Sequence, residues 1–308
     1  MNNTPLVSVI IPNYNHARYL DQRIQTVLGQ TYQNFEVIIL DDCSTDNSLE
    51  VIAKYKDNPH VSQIVVNEQN SGSTFKQWDK GIHLAKGEII WIAESDDYCE
   101  LNMLEELVKA MQKKKNVVVA GCQYIFFNDE ETWKNKEHKT RFYKGSAYVR
   151  YRMCRICELR NASGIIFLKE AALKVSKDYL SYKSAGDYRF WCEILQYGKV
   201  AKVGKNLSYF RQANTSVTGS NAIRGITSEE DKRVYDYIDK TFHLTLWQKK
   251  MVRWFKIPFY QKHNYASSTI RQHIFDMWNI GSTDKVSFFT KHVYWLSGSM
   301  ERHFGILI

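Results

Sequence analysis

The sequence predicts an α/β fold: a mostly parallel central sheet flanked by helices, with a helical C-terminal extension. Two observations carry this. Short, nearly unbroken apolar runs at 6–11, 35–40, 61–66 and 88–93 alternate with segments whose apolar residues recur at helical spacing. Strands buried on both faces read as such runs, and strand–helix alternation is the pattern of a parallel sheet. With 308 residues, 44% hydrophobic and 24% charged, the chain has enough apolar material for one large domain or a domain with an appendage.

The first run is β-branched and is stopped by Pro12-Asn13-Tyr14-Asn15. Leu20, Ile24, Val27 and Leu28 then recur at helical spacing up to Gly29. The run at 35–40 is closed by Asp41-Asp42-Cys43-Ser44-Thr45-Asp46, after which Leu49, Ile52 and Ala53 share a helical face. A third strand spans 61–66, a helix spans 77–85 and stops at Gly87, and a fourth strand follows at 88–93. Beyond Asp97 the pattern is mixed. It gives a helix at 101–111, strands at 116–120 and 124–127, and a lysine-rich loop at 128–144. A strand at 164–168 leads into a helix from Lys169. Asp187 opens a helix that buries Phe190, Trp191, Ile194 and Leu195, and strands at 200–203 and 207–211 close the region.

In open parallel sheets ligands bind beyond the carboxyl ends of the strands. Pro12-Asn13-Tyr14-Asn15, Asp41-Asp42 and Glu94-Ser95-Asp96-Asp97 each follow such an end, so they form one site. Carboxylates crowded at a strand end repel one another and lose solvation, which invites a cation. Mg²⁺ or Mn²⁺ bridging carboxylate to phosphate is the economical occupant. The alternative is an acidic loop capping the helix at 101–111. Neither GxGxxG nor GxxxxGK[ST] follows the first strand. The pattern therefore suits a nucleotide held through base, ribose and metal-bridged diphosphate.

The net charge of +9 calls for an anionic partner. A nucleic-acid binder would interleave basic and aromatic residues along a groove, but the prominent edge of this sheet is acidic, which argues against nucleic acid. The six cysteines are scattered, and Cys154-Arg155-Ile156-Cys157 has no second pair or nearby histidine, so neither a zinc nor a redox site is expected. The start lacks a basic n-region, and no stretch approaches the ~20 apolar residues of a membrane span. A cytoplasmic protein is expected.

Five ordered blocks resemble the family 2 glycosyltransferases, inverting GT-A enzymes that build bacterial surface polysaccharides. They are Val7-Ser-Val-Ile-Ile-Pro-Asn-Tyr-Asn15, Asp41-Asp42-x-Ser44-x-Asp46, Gly81-Ile-x-x-Ala85-x-Gly87-Glu88, Ser95-Asp96-Asp97 and Gly186-Asp187-Tyr-Arg-Phe-Trp191. The resemblance runs from about Val7 to Ser220. It implies a GT-A fold with a Rossmann-like sheet over 1–220, divided into a nucleotide-binding half at 1–97 and an acceptor-binding half at 98–220, with 221–308 as the extension.

The resemblance also implies roles. Tyr14 would stack on the base, lined by Pro12 and Asn15; a packed aromatic is the plainer alternative for Tyr14. Asp42 would bind uracil with Asp41 supporting the loop, whereas Asp46 reads as a cap. Asp96 would ligate Mn²⁺ or Mg²⁺; Glu94, at a position usually held by aspartate, would join the metal site by touching a metal-bound water or the ribose, and Ser95 would line the nucleotide-sugar. Asp187 would be the general base, although the glutamate usually preceding it is Gly186 and a helix cap is the alternative. Arg211 would touch the diphosphate or pair with an acid. Where the family often carries Arg-Asn before Gly81, this chain has Trp78-Asp79-Lys80; Lys76 and Lys80 are either near the diphosphate or solvated.

Past about residue 221 the resemblance stops. Leu244, Trp247, Met251, Trp254 and Phe255 fall on one helical face and Lys249, Lys250, Arg253 and Lys256 on the other. Such a helix either packs on the catalytic domain or lies, through 244–264, on an anionic membrane, which would make the protein peripheral on the inner face of the cell membrane. The expected activity is metal-dependent inverting transfer of a hexosyl or N-acetylhexosaminyl group from a UDP-sugar to a glycan or lipid-linked glycan. The alternatives are a sugar nucleotidyltransferase, which would need a glycine- and arginine-rich loop after the first strand, and an inactive nucleotide-sugar-binding relative.

Overall fold

In a computed structural model of the chain, which describes residues 4–128, 131–211 and 217–281, the apolar runs become strands joined by helices. The elements are β1 (Val7–Asn13), α1 (Ala17–Leu28), β2 (Phe35–Asp41), α2 (Ser48–Ala53), β3 (Val61–Val66), α3 (Thr74–Leu84) and β4 (Ile89–Ile92). There follow β5 (Tyr98–Cys99), α4 (Met103–Lys113), β6 (Val117–Phe127), β7 (Thr132–Trp133), β8 (Arg141–Lys144) and α5 (Gly145–Tyr148). Then come β9 (Ile165–Leu168), α6 (Lys169–Ala172), α7 (Gly186–Ile194) and β10 (Lys199–Arg211). The last four are α8 (Val217–Ile223), α9 (Ile226–Phe242), α10 (Leu246–Lys262) and α11 (Ser268–Met277). The expected extension beyond 281 lies outside the described residues.

One sheet runs in the order β3-β2-β1-β4-β9-β6-β10-β5. Its first four strands are parallel, with Val7 opposite both Phe35 and Ile89. Seven consecutive buried residues in β1 and again in β2 reflect cover on both faces. Gly81 lets α3 lie directly on β1: a Cβ there would stand 2.5 Å from Ile10 Cγ2. The second half differs from the parallel pattern. β9 is antiparallel to both neighbours, β4 and β6, and β5 is antiparallel to β10.

Three local expectations are corrected. The strands expected at 116–120 and 124–127 are one strand, and so are those at 200–203 and 207–211; register shifts between Lys202 and Ser208 absorb the irregularity without ending the pairing. The loop expected at 128–144 contains β7 and β8. In α2 only Ser48 and Ile52 are buried, and Leu49 is exposed, because a helix of six residues presents little more than one turn to the sheet.

By contacts the chain forms two units. The first comprises 1–142, 161–176 and 197–212, and carries the sheet. Its core joins Val9, Ile11 and Trp91 to Leu20, Ile24, Leu104 and Leu107 of the helices. The second comprises 143–160, 177–196 and 213–308, so α7, read from sequence as part of the 98–220 half, clusters with the C-terminal helices.

Within the second unit, α10 starts on a capping box of Thr245 and Gln248 and contains Pro258. Met251, Val252, Ile257 and Tyr260 are buried, while Trp247 is 53% exposed. Lys256, expected on a solvated basic face, is instead buried, with Nζ 2.6 Å from Asp231 Oδ2. A buried ammonium is tolerated because it is paired.

Candidate active site

The ends of β1 and β2 are tied together by side chains. Asn13 stands opposite Asp41 in the sheet, and its Nδ2 donates to Asp41 Oδ2 at 2.7 Å. Asp41 also accepts from the Ser44 amide at 2.8 Å and hydroxyl at 2.7 Å. Asn15 takes a left-handed conformation, φ 55°, which a short polar side chain tolerates. Its Oδ1 receives the Thr45 amide at 2.7 Å. Asp46 accepts from the Ala17 amide at 2.9 Å and the Ser48 amide at 3.0 Å, so one carboxylate serves the first turns of α1 and α2. Pro12 is buried within β1, whereas Tyr14 is 45% exposed at its end.

Asp42 is enclosed by the β3–α3 loop. Its carboxylate accepts from Asn67 Nδ2 at 2.6 Å, the Ser71 amide at 2.9 Å, Gln77 Nε2 at 2.8 Å and the Ser71 hydroxyl at 2.7 Å. Asp41 and Asp42 thus both hold loops in this structure. Lys76 bonds the Ser71 carbonyl and Lys80 bonds Asn67 Oδ1, so both lysines brace the same loop.

The acidic cluster sits where β4 ends, next to β1, with the Ala93 amide bonded to the Ile10 carbonyl at 2.8 Å. Burial, followed by repulsion from Asp96, pushes the Glu94 carboxyl up to about 8, against the hydrogen bond from Trp78. The same two causes raise Asp97, opposed by the positive charge of Arg23. Glu94 Oε1 accepts from Trp78 Nε1 at 2.8 Å, and Asp97 Oδ1 from the Arg211 amide at 3.1 Å. The Asp96 carboxylate accepts no hydrogen bond among the described residues. Ser95 Oγ lies 2.8 Å from His16 Nδ1.

Arg211 closes one side of the cluster. Its Nε donates to the Asp96 carbonyl at 3.0 Å, and its guanidinium lies 4.2 Å from the Tyr19 ring centroid and 4.4 Å from that of Phe127. Two aromatic faces hold the cation and leave little rotamer freedom to lose. Arg23 is fully buried, 5.2 Å from the Trp91 ring centroid, and its guanidinium nitrogens have no hydrogen-bond partner among the described residues. Its charge offsets the crowding of Glu94 and Asp97. Sequence reading missed His16, Tyr19 and Arg23; a polar residue in the 20–28 apolar pattern was the one signal for Arg23.

Among the described residues no group of three or more His, Cys, Asp or Glu side chains could hold a metal ion alone. Mg²⁺ sites that serve phosphorylated ligands commonly take one or two protein carboxylates and complete the shell with phosphate and water. Asp96, with the second oxygen of Glu94, fits that description.

Asp187 belongs to the second unit. It occupies the first turn of α7, after Ala185 at the N-cap position, and its Oδ1 accepts from the Tyr188 amide at 2.7 Å. Burial is the main reason its carboxyl is pushed up to about 7, with like charge from Asp231 and Glu230 adding to it.

A parallel half of four strands with an acidic turn after the fourth, continued by a mixed second half, is the architecture of the GT-A fold. Residues 8–173, more than half of the chain, match glycosyl transferase family 2, and the chain belongs to that family. It is 40% identical over 121 residues to the glycosyltransferase GlyG of Streptococcus pneumoniae serotype 4, covering 39% of this chain and 40% of that protein. It is 34% identical over 122 residues to the putative teichuronic acid biosynthesis glycosyltransferase TuaG of Bacillus subtilis, covering 40% and 46%. These matches span less than half of each relative. The fold is similar to that of S. aureus TarS 1–349 solved with UDP-GlcNAc, at a TM-score of 0.65 and 18% identity, over 94% of this chain and 79% of that one.

Proposed function

We propose that the chain transfers a sugar from a UDP-sugar to a hydroxyl of a glycan or lipid-linked glycan in cell-surface polysaccharide synthesis, with inversion. The carrying observation is the pairing of an exposed Tyr14 with an unengaged Asp96 carboxylate at the ends of adjacent strands β1 and β4. Teichuronic acid biosynthesis in the name of TuaG and UDP-GlcNAc in TarS support the substrate class.

In this reading Tyr14 stacks on the base, Asn15 and Pro12 shape its edge, and Asp41 and Asp42 hold the loops that frame it. Ser95 and Arg211 order the backbone at Asp96. Asp96 and Glu94 would hold a divalent cation, which when bound offsets the negative charge of the departing diphosphate. Asp187 takes the proton of the acceptor hydroxyl. The acceptor oxygen bonds the anomeric carbon as the carbon–diphosphate bond breaks on the opposite face, so a single displacement inverts the centre. In this reading the protein is cytoplasmic, with the start of α10 offering exposed Leu246 and Trp247 near Lys250 to an anionic membrane.

The deciding experiment measures thermal stabilisation by UDP with and without Mn²⁺, then release of UDP from a panel of UDP-sugars. Stabilisation should require the metal and vanish in Asp96→Ala. Equal stabilisation of both proteins with and without Mn²⁺ would refute the site.

A further inference from the structure

Asp187 is reached by a short segment, 183–185, whose three successive amides all point at one side chain of α9. Glu230 Oε1 accepts from the Lys183 amide at 2.7 Å, and Oε2 accepts from the Ser184 and Ala185 amides at 2.8 Å each. Glu230 is 5% exposed. Consecutive amides converging in this way form an anion-binding concavity, and here a carboxylate of the same chain fills it. Charge-assisted bonds of this type are roughly twice as strong as neutral ones.

The surrounding contacts fasten the same two elements. Ser184 Oγ is 2.9 Å from Thr227 Oγ1, and Arg233 of α9 donates to Ser181 Oγ at 2.8 Å while covering the Tyr182 ring. On α7 itself, the Arg189 guanidinium lies 3.3 Å from the Tyr237 ring centroid. The loop therefore takes its course from α9, and α7 begins where that loop delivers it.

We propose that Glu230 is a positioning residue for Asp187: it fixes the approach of the chain into α7 and sets a negative charge beside the base. This rests on Asp187 being the base. The groups around that carboxyl are Cys157 from the segment before β9, Tyr188 and Cys192 of α7, and Glu230 and Asp231 of α9. Asp231 is paired with Lys256 and Tyr260, and Arg189 with Glu193 and Asp178. Glu230 is satisfied by neutral amides, so its charge is not cancelled by a neighbouring cation in these contacts. Like charge near a carboxylate favours its protonated form.

The test is Glu230→Gln in the full chain, with kcat and KM for the donor measured across pH. The plateau kcat should fall about tenfold through loss of orientation, with donor KM unchanged. The acid limb, where the base becomes protonated, should move down by about half a pH unit as the neighbouring charge is lost. A folded variant whose limb stays in place, or whose loss is confined to donor KM, overturns the inference. Should the variant not fold, hydrogen exchange in the unaltered protein decides. The amides of Lys183, Ser184 and Ala185 should exchange as slowly as the interior of α7, and rapid exchange overturns the inference. Asp187→Asn separates the two readings. Full activity there defeats the base itself and Glu230 with it, whereas an inactive Asp187→Asn beside an unshifted Glu230→Gln defeats only the role of Glu230.

Discussion

The indole nitrogen of Trp78 stands 2.8 Å from Glu94 Oε1. Both residues lie in stretches where the sequence departs from the family pattern, Trp78 ahead of Gly81 and Glu94 in place of aspartate. The departures meet: the longer acid reaches a donor that α3 carries to the end of β4. Trp78→Phe removes that donor and leaves a partly buried carboxyl oxygen without it, at a cost of about 0.5–1.5 kcal/mol. Chemical denaturation should register the loss, and an unchanged midpoint would mean that the bond contributes nothing.

Metal binding should depend on pH. Glu94, raised to about 8, and Asp97, raised likewise by burial and then by repulsion from Asp96, hold protons that a cation must displace. Apparent Mn²⁺ affinity should therefore rise from pH 6 to 8, with proton release seen by calorimetry in buffers of different ionisation enthalpy. Without metal, these carboxyls bind protons more tightly folded than unfolded. Their contribution to stability is full below about pH 4 and is lost as pH rises through 7 to 8. A metal affinity that is flat across this range would contradict the prediction.

Asp187→Asn should lower kcat by about 10²–10⁴ while UDP and metal still stabilise the protein to heat. In the unaltered enzyme kcat/KM should climb with pH through about 7, where Asp187 loses its proton. A variant that transfers sugar at the normal rate would show that the proton goes elsewhere.

Gly81→Ala tests the seam between α3 and β1. The added methyl would meet Ile10 at 2.5 Å, and overpacking of this kind costs about 1–3 kcal/mol. The melting temperature should fall; an unchanged value would indicate that α3 shifts freely.

Leu246→Ser with Trp247→Ser tests α10, since both side chains are exposed and the folded core does not need them. Co-sedimentation with anionic vesicles should drop while activity on a soluble acceptor persists. Equal binding by the variant and the parent would remove the membrane from the account.

The first half of the sheet was legible because each strand of the β3-β2-β1-β4 set is a short apolar run ending in a polar turn, and strand ends define where such a sheet binds ligands. The antiparallel β9 was not: a four-residue apolar run carries no sign of its direction. The acidic cluster at 94–97 could be singled out from its position at a strand end, and Asp96 within it only through the family resemblance. The full engagement of Asp42 could not, since its partners Asn67, Ser71 and Gln77 come from a loop that reads only as polar. Lys256 was misjudged because helical periodicity places a residue on a face without revealing that Asp231 waits there.

The reversal of β9 has a consequence for synthesis. β4 pairs with β1 on one side and with β9 on the other, and β9 leaves the ribosome about seventy residues later. Until then Ile89-Ile90-Trp91-Ile92 forms the open border of whatever nascent sheet has assembled, and an apolar border with unpaired amides is a template for another chain. The interval between residues 92 and 165 is thus one in which the growing polypeptide exposes an apolar strand edge to wrong partners, and in which a holding chaperone has something to protect.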